Sequence, residues 1–165
     1  MRFLKKISDV IFNIEKLLSI ILMILMLGSI SAGVVFRYFF NSPISWSEEL
    51  AIFTLVWVTF IGGSMGVKTG QAAALELVFE KLNLSMKKIV LVIGHAIITV
   101  FCAFIFYLSF TWISSDSVSM QIAPSLGITM FFPYLAIPAG ILFMGIHSLN
   151  HLVQSFHYES EMEGE

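Results

Sequence analysis

Four long apolar stretches punctuate this chain, and each is bounded by charge. Residues 17–36 carry no charged side chain and end at Arg37; residues 50–67 are charge-free between Glu49 and Lys68. Residues 89–113 hold only His95 as an ionisable group, and residues 131–153 hold only His147 and His151. A helix needs roughly 20 mostly apolar residues to cross a bilayer. The pattern predicts an all-α integral membrane protein with four transmembrane helices, forming one membrane domain over residues 1–156.

Between the second and third stretches the period changes. Leu75, Val78, Phe79 and Leu82 recur at helical spacing, while Glu76, Glu80 and Asn83 take another face. This predicts an amphipathic helix over residues 72–84, lying in the interface or packed on the other helices, with Lys87 and Lys88 following at headgroup level. Residues 117–132 are apolar but interrupted by Pro124 and Gly127, and read as an irregular connection. Pro133 suits the start of the fourth span, whereas Pro138 is expected to kink it. Residues 157–165, with Glu159, Glu161, Glu163 and Glu165, read as a solvated acidic tail.

Composition agrees with a membrane solvent. Of the residues, 58% are hydrophobic and 12% charged, where soluble domains carry about 25% charged residues. A net charge of -2 gives no footprint for nucleic acid. The single cysteine, Cys102, can form no internal disulfide and reads as a small packing residue. Arg2, Lys5 and Lys6 precede the first stretch as in a signal peptide. That stretch exceeds the roughly 7–15 residues of a signal core, so a retained helix is expected.

Eight of the nine basic residues (Arg2, Lys5, Lys6, Lys16, Lys68, Lys81, Lys87 and Lys88) fall on one side of the four spans, and only Arg37 on the other. The positive-inside rule then places both termini in the cytoplasm.

At the opposite side the candidate chemistry is a charge cluster. Ser45-Trp46-Ser47-Glu48 fits a capping box, with Ser45 as N-cap and Glu48 reaching back. Glu48 and Glu49 open the second helix, Arg37 closes the first, and a short turn with Asn41 and Pro43 separates them. A local salt bridge that closes the hairpin and a contact with a partner protein are both open, and compatible. Trp46 and Trp112, with Tyr38 and Tyr107, suit interface anchors. Gly62 and Gly66, and Ala136 and Gly140, are small-xxx-small pairs that permit close helix contact.

No Asp or Glu is expected inside a span, so no residue offers itself as the coupling group of an ion-driven carrier. No nucleotide loop or nucleophile motif is present, and neither catalytic nor metal-binding residues are assigned. His95, His147 and His151 lie toward the lysine-rich side. They either bond to backbone and headgroups or clamp a haem, as in a respiratory membrane anchor.

Several stretches together resemble the small permease (Q) subunit of tripartite ATP-independent periplasmic (TRAP) transporters. They are Arg37-Tyr38-Phe39 with Asn41-Ser42-Pro43, Trp46-Ser47-Glu48-Glu49-Leu50, Trp57-Val58-Thr59-Phe60-Ile61-Gly62 and Val67-Lys68-Thr69-Gly70. Pro124-Ser125-Leu126-Gly127-Ile128, Tyr134 and Pro138-Ala139-Gly140 complete the set. The family often has a histidine and an aspartate after the Lys-Thr-Gly stretch, where this chain has Ala73 or Ala74 and Glu76; Thr129 replaces a common proline. The resemblance implies a non-enzymatic scaffold subunit without a cofactor, in the bacterial inner membrane. Its implied partners are a large sodium-coupled, elevator-type permease (M) subunit, a periplasmic substrate-binding protein and membrane lipids. The implied cargo is an organic acid of the C4-dicarboxylate, sialic acid or sugar-acid class.

Overall fold

A computed structural model describes residues 2–70 and 84–156. The described residues are almost wholly helical: α1 (Arg2–Phe39), α2 (Ser45–Thr69), α3 (Leu84–Ile113), α4 (Asp116–Ser119), α5 (Phe131–Tyr134) and α6 (Ala136–Phe156). Four helical stretches are long and apolar enough to cross a membrane: Phe3–Phe39, Ser45–Thr69, Met86–Ile113 and Phe131–Ser155. The expected all-α, four-span class is therefore the observed one. The expected interfacial helix at 72–84 falls almost entirely outside the described residues, as does the acidic tail.

The main departure is in α1. Its 38 residues measure about 57 Å at 1.5 Å per residue, more than the roughly 40–45 Å of a whole bilayer. The charge-free run at 17–36 is only its middle; Lys5, Lys6, Asp9, Glu15 and Lys16 ride on the same unbroken helix. Charges do not end a helix, they end only its apolar surface. Glu15, two residues before the charge-free run, lies on this same helix and is completely buried.

The four long helices do not close into a bundle. α1 packs on α2, α2 on α6, and α6 on α3, while α1 touches α6 less extensively. The result is a row, with α2 and α6 in the middle. In the apolar windows of α1 and α3 only 6% of residues are buried, against 39% in the fourth span. Outward-facing Leu17, Ile24, Val34, Ile97, Val100 and Phe104 leave the flanking helices apolar on their free sides.

Close approach holds the centre of the row. A Cβ built on Gly140 would lie 2.6 Å from the Cβ of Phe60 and 3.1 Å from its backbone C and O. Gly33 does the same for α1 and α2, since a Cβ there would meet Ser47 Oγ at 2.5 Å. With lipid on the outside, apolar burial gives little drive for association, so such backbone contacts and interhelical hydrogen bonds carry it. Ser29 Oγ donates to the Ser47 carbonyl at 2.6 Å across α1 and α2, and Thr99 Oγ1 lies 2.9 Å from Ser148 Oγ across α3 and α6.

The fourth span is interrupted at Leu135, between α5 and α6. Pro138 has no N–H to give the Tyr134 carbonyl, so the helix loosens one turn before the proline. The connection from α4 to α5 is a tight loop. Ala123 N–H donates to Ile128 O at 2.8 Å, Met130 N–H to Gln121 O at 2.9 Å, and Gly127 sits at φ 67. The α1–α2 turn is shaped by Asn41 at φ 49, a left-handed position that asparagine tolerates.

Candidate functional site

Two polar clusters stand at opposite ends of the α1–α2 helix pair. At the Arg37 end, Arg37 Nη2 donates to Glu48 Oε1 and closes the α1–α2 hairpin. Both side chains are more than half exposed, 54% and 69%. Glu48 is therefore unavailable for the expected capping box. The N-cap is Ile44 (φ -92, ψ 111) with no side-chain cap, and Ser45 is already the first helical residue. Ser47 Oγ instead donates to the Ile44 carbonyl at 2.9 Å.

Glu49 does not join Arg37. Its Oε2 accepts the amides of Ser125 at 2.9 Å and Leu126 at 2.7 Å. A carboxylate on two adjacent backbone N–H groups is a strong, charge-assisted contact. It ties the α4–α5 loop to the start of α2. Residues 49 and 125 are 76 positions apart, and the sequence carries no signal for the pairing beyond the turn residues Pro124 and Gly127. Trp46 stands on the same end, 40% exposed. Trp57 Nε1 donates to the Phe132 carbonyl at 3.2 Å, and Trp112 packs on Tyr134 with ring centroids 4.9 Å apart.

Among the described residues, Gly62 and Gly66 make no close contact with another helix. A Cβ at either would meet nothing within 4 Å. Their neighbour Gly63 is the one facing α6, through Met144 at 3.3 Å. Helical spacing explains this: Ile61 and Ser64 point into the row, so Gly62 and Gly66 point out of it. Together with exposed Thr59 they leave a shallow lane on the outer face of α2.

The second cluster, at the Lys68 end, joins α1, α2 and α6; sequence reasoning missed it, although Ser8 and Glu15 on α1 and His147 and His151 on α6 each share a helix face. Lys68 Nζ donates to Asp9 Oδ1 at 2.7 Å and to Ser8 Oγ at 2.8 Å. Ser8 Oγ lies 2.7 Å from His147 Nδ1, and His147 Nε2 lies 3.0 Å from Glu15 Oε2. An ammonium only donates, so Ser8 accepts from Lys68 and is free to give its own proton to Nδ1. His147 then carries its hydrogen on Nε2 and donates it to Glu15. Ser8, Glu15 and His147 are all completely buried. The bond order is that of a nucleophilic relay, but a serine sealed between helices is closed to any substrate.

His151 Nε2 lies 3.0 Å from the Lys68 carbonyl, and its ring stacks on His95 with centroids 5.2 Å apart. The haem alternative fits this geometry poorly. His147 uses both nitrogens inside the protein, and His95 and His151 face each other ring on ring rather than from opposite sides of an iron. No three of His, Cys, Asp and Glu are grouped to hold a metal among the described residues.

The chain matches the family of "Tripartite ATP-independent periplasmic transporters, DctQ component" over residues 26–157. It is 28% identical over 131 residues to a putative TRAP transporter small permease protein of Haemophilus influenzae, covering 79% of this chain and 78% of that one. It is 26% identical over 95 residues to the C4-dicarboxylate TRAP transporter small permease protein DctQ of Rhodobacter capsulatus, 58% of this chain and 42% of that protein. It is 22% identical over 107 residues to the isethionate TRAP transporter permease protein DctMQ of Oleidesulfovibrio alaskensis, 65% of this chain and 17% of that protein. The aligned part thus spans less than half of the last two relatives. Four apolar helices and a family match over most of the chain identify a multi-pass membrane protein of the DctQ component family of tripartite ATP-independent periplasmic transporters.

Proposed function

We propose that this chain is the scaffold subunit of a sodium-coupled TRAP transporter in the bacterial inner membrane and is not an enzyme. Its partners are the large, elevator-type permease subunit, a periplasmic substrate-binding protein and membrane lipids. The cargo is an organic acid of the C4-dicarboxylate, sialic acid or sugar-acid class. Both termini lie in the cytoplasm, in keeping with eight of nine basic residues on one side. Residues 1–156 act as one membrane domain, with residues 157–165 as a cytoplasmic tail.

The observation that carries this reading is the open row. A carrier that works alone must enclose its substrate, whereas this chain has an uncovered apolar face on each side and only 6% burial in its two flanking spans. Helix surfaces so exposed suit a larger membrane partner. The lane at Gly62 and Gly66 admits a helix of the large subunit at close range. Arg37, Glu48 and Glu49 hold the periplasmic end rigid, and Trp46 anchors it at the headgroups. The DctMQ name of one relative accords with small and large subunits working together.

Affinity purification of the tagged chain, co-expressed with a large TRAP permease subunit, tests the reading. The large subunit should co-purify in mild detergent at a fixed ratio. Recovery of the chain alone under conditions that keep both proteins folded would contradict it.

A further inference from the structure

Residues 2–16 of α1 form an arm at the Lys68 end, and its surface is divided by chemistry. Phe3, Val10 and Ile14 recur at helical spacing on the side away from α2 and α6, and are 75%, 57% and 51% exposed. Lys5, Lys6 and Lys16 are exposed on one flank of that stripe. None of the three forms an ion pair among the described residues. The two acids of the arm do not offset them. Asp9 is held by Lys68 at 2.7 Å, and Glu15 is sealed inside against His147. Among the described residues, the unpaired charge that the arm shows outward is wholly positive.

The register with α2 sets this arm against lipid. Ser8 and Asp9 meet Lys68, and Ser29 meets Ser47, so residues 8–29 of α1 run antiparallel beside residues 47–68 of α2. Lys16 stands about 10 Å further along α1 than Asp9. There it lies beside the charge-free run of α2, which ends at Val67. An exposed ammonium at the depth of an apolar layer is costly unless its stem carries it to the surface or an anion meets it. An apolar stripe with a basic flank on one helix is the composition of a segment that lies against anionic lipid. A protein partner fits this flank less well, because protein interfaces are depleted of lysine.

We propose that residues 3–16 of α1 form a binding surface for anionic phospholipid, with Phe3, Val10 and Ile14 on the acyl chains and Lys5, Lys6 and Lys16 on the phosphates. Pairing Asp9 with Lys68 and turning Glu15 inward keep both carboxylates from opposing the phosphates. The surface deepens the membrane-lipid partner of the proposed function and rests on that reading only in taking the chain to cross a membrane. It leaves the lane on α2 and the free side of α3 to the large subunit.

Electron paramagnetic resonance with spin-labelled lipids, on the full chain reconstituted in phosphatidylcholine vesicles, tests the proposal. The motionally restricted fraction of a labelled lipid measures its association with the protein surface. Labelled phosphatidylglycerol should associate several-fold more strongly than labelled phosphatidylcholine. The preference should shrink as salt rises from about 0.1 M to about 1 M, where the Debye length falls from about 10 Å to about 3 Å. Lys5→Gln, Lys6→Gln and Lys16→Gln together should remove most of it. Lys16→Gln alone should lower it more than Lys87→Gln, which removes one cation at the same end on α3. Equal association of the two lipids with the wild type, a triple variant with wild-type preference, or equal effects of Lys16→Gln and Lys87→Gln would overturn the proposal. Complete disulfide cross-linking of Ile14→Cys to a second copy would overturn it too, since the stripe would then be covered by protein. If the triple variant fails to insert, the salt dependence and the single variants decide. The large subunit takes no part in this measurement, so a negative result here leaves the scaffold reading standing, and failed co-purification leaves the lipid surface standing.

Discussion

Replacing Gly140 by alanine puts a methyl group where α2 and α6 are closest. The new carbon would stand 2.6 Å from Phe60 Cβ and 3.1 Å from the Phe60 backbone C and O. Carbon atoms settle at about 3.5–4.0 Å, so α6 must back away by about 1 Å, and a gap of that size forfeits up to half of each dispersion contact around it. No rotamer change relieves the clash, because Phe60 meets it with Cβ and backbone. Overpacking of this kind costs about 1–3 kcal/mol, and α2–α6 is the contact that joins the two halves of the row. Gly62→Ala, two residues from Phe60 on the same helix, is the control. Nothing lies within 4 Å of its Cβ, so the purified chain should keep its stability. Equilibrium unfolding by SDS in mixed micelles, followed by tryptophan fluorescence, measures both. Equal stability of Gly140→Ala and wild type would refute the packing described for the centre of the row. The same Gly62→Ala variant should weaken co-purification of the large subunit if the lane is occupied in the complex.

The Arg37–Glu48 pair is exposed on both sides, so a double-mutant cycle with alanine should give a coupling of only about 0–1 kcal/mol; a value well above that would show a buried contact. Arg37→Ala should lower assembly or uptake modestly and leave substrate preference unchanged, as read by competition between organic acids in transport. Reporter fusions after Ser42 and Ser119 should be periplasmic and a fusion at the C-terminus cytoplasmic, and the opposite pattern would reverse the orientation.

The four spans were legible because hydropathy over about 20 residues is a strong signal, and it needs no knowledge of what the helices touch. A salt bridge between Arg37 and the acids that open α2 was legible because sequence neighbours across a short turn stay neighbours in space, but which acid takes it was not: Glu48 pairs with Arg37, while Glu49 turns to Ser125 and Leu126. What failed depended on distant partners. Glu15 lies two residues before the charge-free run and next to Lys16, so it looked like part of a cytoplasmic flank. Its partner His147 is 132 positions away. A signal did exist: Ser8 and Glu15 are seven apart on α1, and His147 and His151 four apart on α6, each pair sharing a helix face. Gly62 and Gly66 fitted a contact motif, but the motif states only that a helix can come close. Whether that helix belongs to this chain or another is set by the faces of α2 that α1 and α6 already occupy. The row itself was illegible for a related reason. Lipid and a membrane partner present the same apolar chemistry as a neighbouring helix, so spans apolar on every side do not record which side is covered.

Uptake by proteoliposomes tests the central claim most directly. The large permease subunit, the periplasmic binding protein and this chain should be reconstituted together with an inward sodium gradient and a radiolabelled organic acid. Uptake is expected with all three and is expected to fall to background when this chain is left out or reconstituted alone. Sodium-driven accumulation by this chain alone, or full uptake without it, would contradict a scaffold that works only in assembly.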